Sequence, residues 1–139
     1  MNKIIECEPA SKVDELLLKI KSYDPIITRR EQDYFEAKFI SLHGEELWIE
    51  INTEFSIFFG DWHAHYFADE EDYLCFLEDL IGILESKKFT ICVYRDGRWC
   101  GSELSENELP NESDLKKENG EDKIIKCNYW DKTKNIVFK

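Results

Sequence analysis

Between Phe35 and Phe59 the chain changes sides at nearly every residue. Phe35, Ala37 and Phe39 alternate with Glu36 and Lys38, and Leu47, Ile49 and Ile51 alternate with Trp48 and Glu50. Phe55, Ile57 and Phe59 continue the pattern. A period of two belongs to a strand with one face on a core. His43-Gly44 and Asn52-Thr53 interrupt the run at turn-forming pairs. Links this short join antiparallel neighbours, so the three stretches are expected to form a meander. Phe58 stands on the outward side of the third strand, which predicts burial on both faces there.

Two helices are expected to flank this sheet. Ser11 and Asp14 suit the cap and the third position of a helix, and Val13, Leu16, Leu17 and Ile20 give it one apolar face. Asp24-Pro25 ends it, because the residue before proline avoids the helical region. The second helix opens on Asp69-Glu70-Glu71-Asp72, four acids where the helix dipole favours negative charge. Tyr73, Leu77, Leu80 and Leu84 line one side of it, and Leu74, Phe76, Ile81 and Ile83 widen the apolar surface to most of the circumference. A helix so apolar is expected to lie across a sheet.

Further on, Phe89, Ile91 and Val93 alternate with Thr90, Cys92 and Tyr94 up to Asp96-Gly97. That dipeptide is the strongest hairpin signal in the chain, since a type I′ turn needs positive φ twice. It sets Arg95 opposite Arg98, Tyr94 opposite Trp99 and Val93 opposite Cys100. Two last strands are expected over 123–130 and 135–138. Residues 103–122 hold eight acids and two lysines, with Pro110, Gly120 and only Leu104, Leu109 and Leu115 as large apolar residues. This composition predicts an acidic mobile loop with room for a single helical turn. The expected fold is therefore α+β, an antiparallel sheet of about six or seven strands with two packed helices, in a single domain over 1–139.

Charge narrows the choice of partner. Residues 61–86 carry eight acids and no lysine or arginine, and 103–122 carries −6, out of a net charge of −12 for the whole chain. The remainder is close to neutral. That sign speaks against nucleic acid and anionic lipid as partners, and for a basic protein or for no partner and simple solubility. No stretch approaches the roughly eighteen apolar residues that a membrane helix needs, and acids stand near the N-terminus where a signal peptide would be apolar. A cytoplasmic protein is expected. The five cysteines, Cys7, Cys75, Cys92, Cys100 and Cys127, are odd in number and lack C-x-x-C spacing, so they predict small buried hydrophobes rather than a disulfide framework or a zinc knuckle.

The segment with the most chemistry is Phe58-Phe59-Gly60-Asp61-Trp62-His63-Ala64-His65-Tyr66. Extended, it sends Asp61, His63 and His65 to one side and Trp62 and Tyr66 to the other. Two imidazoles and a carboxylate are a donor set for zinc or iron, and a metal-dependent enzyme using His63 and His65 is one reading of them. A third firm ligand is missing from the sequence, as are a phosphate-binding glycine loop, a G-x-S-x-G elbow and a nominated acid/base pair. No catalytic residue, metal or cofactor is expected. The second reading is a surface for a basic protein. In it Asp61, Trp62, His63, His65 and Tyr66 supply contacts, Asp69, Glu70, Glu71 and Asp72 supply charge, and Trp62 or Tyr66 acts as anchor. A general protein-interaction module with some other partner is the third, and a polar strand edge whose histidines bond backbone or carboxylates is the plain alternative to all of them.

The stretch Glu54-Phe55-Ser56-Ile57-Phe58-Phe59-Gly60-Asp61-Trp62-His63-Ala64-His65-Tyr66, followed by an acidic core helix and a hairpin ending Asp96-Gly97-Arg98-Trp99-Cys100-Gly101-Ser102, resembles small bacterial immunity proteins of polymorphic or contact-dependent toxin systems. The resemblance covers residues 45–103. It implies a non-enzymatic protein that binds and blocks one cognate toxin; joined to the charge reading above, the expected target is a basic toxin domain, for instance a nuclease. It transfers no functional residue.

Overall fold

The computed structural model describes residues 6–106 and 111–139. The chain forms two compact units, Met1–Ile81 and Gly82–Lys139. The boundary falls within α2 (Glu70–Leu84).

In the first unit a 3₁₀ turn over Pro9–Lys12 leads into α1 (Val13–Ile20). Val13, Leu16 and Ile20 are buried as their spacing predicts, whereas Leu17 is only half-buried. Ser11 does not cap the Asp14 amide. Its hydroxyl donates instead to the Glu8 carbonyl at 2.6 Å, within the 3₁₀ turn. A second such turn over Lys21–Tyr23 ends at Asp24, whose φ of 55° breaks the helical path ahead of Pro25.

Five antiparallel strands follow in chain order: β1 (Ile26–Arg30), β2 (Phe35–Ile40), β3 (Glu46–Ile51), β4 (Phe55–Phe59) and β5 (Trp62–Tyr66). The expected meander forms its middle. Register aligns Ala37, Ile49, Ile57 and Ala64 in one row across four strands, so the period-two residues of each strand meet on a single face. Phe35, Phe39, Leu47, Ile51, Phe55 and Phe59 share that buried face. Gly60, with φ 58°, turns β4 into β5.

Helix α2 packs on the same face. Tyr73 and Phe76 each lie 5.3 Å from the Phe55 ring, and Phe76 lies 5.7 Å from Tyr66. Asp69 Oδ1 accepts from the Asp72 amide at 2.7 Å, the geometry of an N-cap, and Asp72 Oδ2 accepts from the Phe67 amide at 2.8 Å. The acidic turn thus starts the helix as its composition predicts, with Asp69 as cap rather than first residue. Leu74, expected among the buried residues, points outward, and Cys75 beside it is exposed.

The second unit has its own sheet, in the order β7-β6-β8-β9, from β6 (Phe89–Arg95), β7 (Arg98–Ser105), β8 (Ile124–Asn128) and β9 (Ile136–Phe138). The β6–β7 hairpin turns at Asp96 and Gly97, with φ of 50° and 78°, and pairs Arg95 with Arg98 and Tyr94 with Trp99. The register then shifts. Val93 faces Gly101 rather than Cys100, because Cys100 is an extra residue in a β-bulge.

Residues 103–122 are not simply a connection. They contain the end of β7 and α3 (Glu112–Asn119), and residues 107–110 lie outside the described part. Asn111 starts α3 by accepting from the Ser113 and Asp114 amides at 2.9 and 3.4 Å. Acids in the first turn and lysines in the last suit the dipole. Leu115 joins the buried cluster of Ile91, Val93, Ile125 and Cys127, which holds α3 on the sheet.

The α+β class stands, but the described residues form two antiparallel sheets of five and four strands with three helices, not one sheet of six or seven strands with two. The chain between β5 and β6 is spent on α2, so the strands do not continue as one run. Strand β1 went unread because all five of its residues are exposed, leaving no periodicity to find. Among the described residues no helix is long and apolar enough to cross a membrane.

Gly97→Val is expected to destabilise the protein by about 1–3 kcal/mol, because a β-branched residue resists a left-handed φ. Urea unfolding checks it: the midpoint should fall with the slope unchanged.

Candidate functional site

The nine residues singled out in 61–72 do not share one surface. Strand β5 alternates as expected. Trp62 and Tyr66 are only 6% and 8% exposed and belong to the core face, so neither is free to anchor a partner. Tyr66 is further committed, since its hydroxyl donates to Asp79 Oδ2 at 2.6 Å. Burial, then that bond to a carboxylate, pushes the Tyr66 phenol far above its ordinary range.

His63 and His65 emerge on the opposite, outer face of the sheet, their rings 5.2 Å apart and each 6.0 Å from Phe58. Phe58 is half-buried there. At His65 the plain reading of a polar strand edge applies, with the ring held by its neighbours. His65 Nδ1 lies 2.7 Å from the buried Ser56 hydroxyl and 3.1 Å from Glu54 Oε1. Serine, histidine and glutamate together suggest a nucleophile with its base, but the geometry is wrong for it. A relay needs serine on one ring nitrogen and the acid on the other, and here both meet Nδ1. The contacts fix the ring in place. Register made them possible, because Ser56 pairs with His65 across the β4–β5 ladder. Among the described residues no three His, Cys, Asp or Glu side chains converge to hold a metal ion. His63 and His65 therefore supply two ligands of the three or more that a zinc or iron site requires.

The acidic turn divides its labour. Asp69 and Asp72 make the capping bonds already described. Glu70 holds Lys12 at 2.7 Å, and the Lys12 ammonium sits 5.1 Å above the Tyr73 ring. Only Glu71 of the four is fully exposed, and it has no ion-pair partner among the described residues. Glu71, Leu74, Cys75 and Glu78 recur at i, i+3, i+4 and i+7, so they form one outward stripe on α2. Leu74 is 57% exposed, and Phe67, just before the helix, is 75% exposed. Sequence reasoning missed both as surface residues. A helix apolar around most of its circumference does not reveal which apolar residue is left outside.

The cysteines offer no activated thiol at Cys7, Cys75 or Cys127. Desolvation raises all three, the negative charge of Asp72 adds to the effect at Cys75, and burial takes Cys127 to about 11. Cys92 and Cys127 are buried, as expected of small hydrophobes, while Cys75 and Cys100 are exposed.

No protein-family model matches this chain, and no match was found among curated proteins or solved structures.

Tyr73 is also buried, and burial followed by the charges of Glu15 and Glu70 pushes its phenol up to about 12 from 10.0. A phenol that stays protonated in the fold but ionises when unfolded favours unfolding as pH rises. The stability from Tyr66 and Tyr73 should be complete below pH 10 and decline above it. Thermal melts between pH 8 and 11 check this: the melting temperature should fall more steeply above pH 10 in the wild type than in a Tyr73→Phe variant.

Proposed function

We propose that this chain is a non-enzymatic protein of the immunity type, which binds and neutralises a basic toxin domain, for instance a nuclease, through the outward stripe of α2. The observation that carries the reading is the stripe itself. The exposed Leu74 is bracketed by Glu71 and Glu78 on one helix face, with exposed Phe67 ahead of it, in a stretch 61–86 that contains no lysine or arginine. An apolar contact framed by carboxylates suits a basic protein, the apolar part giving affinity and the charge speeding encounter. Leu74 and Phe67 take the anchoring role that burial denies to Trp62 and Tyr66. Asp69, Glu70 and Asp72 contribute field from positions where they also hold the helix start. In this reading the protein works in the cytoplasm and meets its partner there.

Co-expression with a toxin domain encoded beside its gene tests the role. Protection is the expected result. Undiminished toxicity, or no such neighbouring gene, contradicts it. With the complex in hand, Glu71→Lys combined with Glu78→Lys should slow association, and added salt should slow the wild type toward the same rate. Leu74→Ala should act on dissociation, accelerating it about thirtyfold for a contact worth about 2 kcal/mol. Stopped-flow association and surface-plasmon dissociation rates separate the two effects.

A further inference from the structure

The second unit holds a recess that the proposed binding face does not involve. Leu115 fixes α3 over β6 and β8, and the cover stops short of β7. On that same side of the sheet, Glu103 pairs with Ile91 and Gly101 with Val93. A cavity of about 440 Å³ opens there, large enough for a small organic ligand. Ile91 and Val93 form its apolar floor, and Glu103, Glu118, Asn119 and Lys123 line its rim.

Three features make this a built recess. Gly101 faces open space, since a Cβ placed there would meet no atom within 4 Å. The bulge at Cys100 sets Gly101, rather than the cysteine, opposite Val93. The far wall is held by Lys116, which is 94% buried yet has no carboxylate partner among the described residues. Its ammonium donates to the backbone carbonyls of Glu121 and Lys123 and so fixes the turn that carries Lys123.

The charge at the rim is unbalanced. Glu103 and Glu118 have no ion-pair partner among the described residues, although Lys123 stands on the same rim. The Lys123 ammonium lies 3.6 Å from Asp122 instead. Two unneutralised carboxylates above an apolar floor match a cation on a hydrocarbon stem, since the stem covers the floor while the head meets the acids. We propose that this recess binds a linear organic cation, an alkylguanidinium or alkylammonium group, with its stem on Ile91 and Val93 and its head at Glu103 and Glu118.

The test is titration of the full chain with agmatine, with neutral n-butylurea as control, followed by NMR at the amides of Gly101, Ser102, Glu118 and Asn119. Saturable shifts with agmatine and none with butylurea are expected. Glu103→Gln and Glu118→Gln should each weaken binding on the order of tenfold, as loss of a charge-assisted contact does. Gly101→Leu, which fills the cavity, should abolish binding. The glutamines replace exposed side chains, so they keep the test decisive if the leucine variant fails to fold. A capped Gly-Arg-Gly peptide separates the sources of the cation. Binding equal to agmatine assigns the recess to a protein side chain, and binding of agmatine alone assigns it to a free amine. No saturable shift with agmatine or peptide, or shifts that persist unchanged in both glutamine variants, overturns the proposal.

Discussion

Phe55 is the point on which the first unit turns. Its ring meets Tyr73 and Phe76 at 5.3 Å each, and Phe76 reaches Tyr66 in turn. Aromatic pairs at such separations contribute about 0.5–1.5 kcal/mol each beyond the area they bury. Their larger consequence is orientation. With Tyr73 and Phe76 facing the sheet, the helix must present Glu71, Leu74, Cys75 and Glu78 to solvent. With Phe55 and Tyr66 paired on the core face, β5 must present His63 and His65 on the other. One packing arrangement thus decides which residues of the conspicuous 61–78 stretch can meet another molecule. It does so at some cost, because the Tyr73 hydroxyl is buried without a hydrogen-bond partner among the described residues. A lost bond of that kind costs about 1–3 kcal/mol.

The negative charge of the same stretch is also divided by structure. Sequence alone shows eight acids in a row of elements without a base. In the fold, Asp69 and Asp72 satisfy amides at the helix start, Glu70 holds Lys12, and Asp79 accepts from Tyr66. The face left outward is smaller and better defined than the composition suggests: an exposed apolar residue flanked along the helix by Glu71 and Glu78. The rest contributes through the field it projects, which is felt over about a Debye length, about 8 Å at physiological ionic strength.

The meander, the α2 start and the Asp96-Gly97 turn were legible because each rests on local chemistry: alternation, a cap, and positive φ. The parts that were not legible depend on what a segment packs against. Strand β1 has no buried residue to set a period. Leu74 looks like Leu77 in sequence, and only the placement of Tyr73 and Phe76 on the sheet tells them apart. A two-residue turn puts Cys100 opposite Val93, and the bulge that moves Gly101 there leaves no mark in the sequence. Helix α3 exceeds the single turn that its acidic composition suggests, and Asn111 and Leu115 carry its cap and its contact. For the site, the outward direction of His63 and His65 followed from strand alternation. The inward direction of Trp62 and Tyr66 followed equally, and its consequence is that neither can serve as anchor.

Cys75 lies on the proposed surface, exposed between Leu74 and Glu78, and it reports on that surface directly. The rate of maleimide labelling at Cys75, followed by mass spectrometry in the free protein and in its complex with the toxin domain, tests the central claim. The account predicts that labelling of Cys75 slows sharply when the partner is bound. Labelling at the same rate in the complex as in the free protein would contradict it.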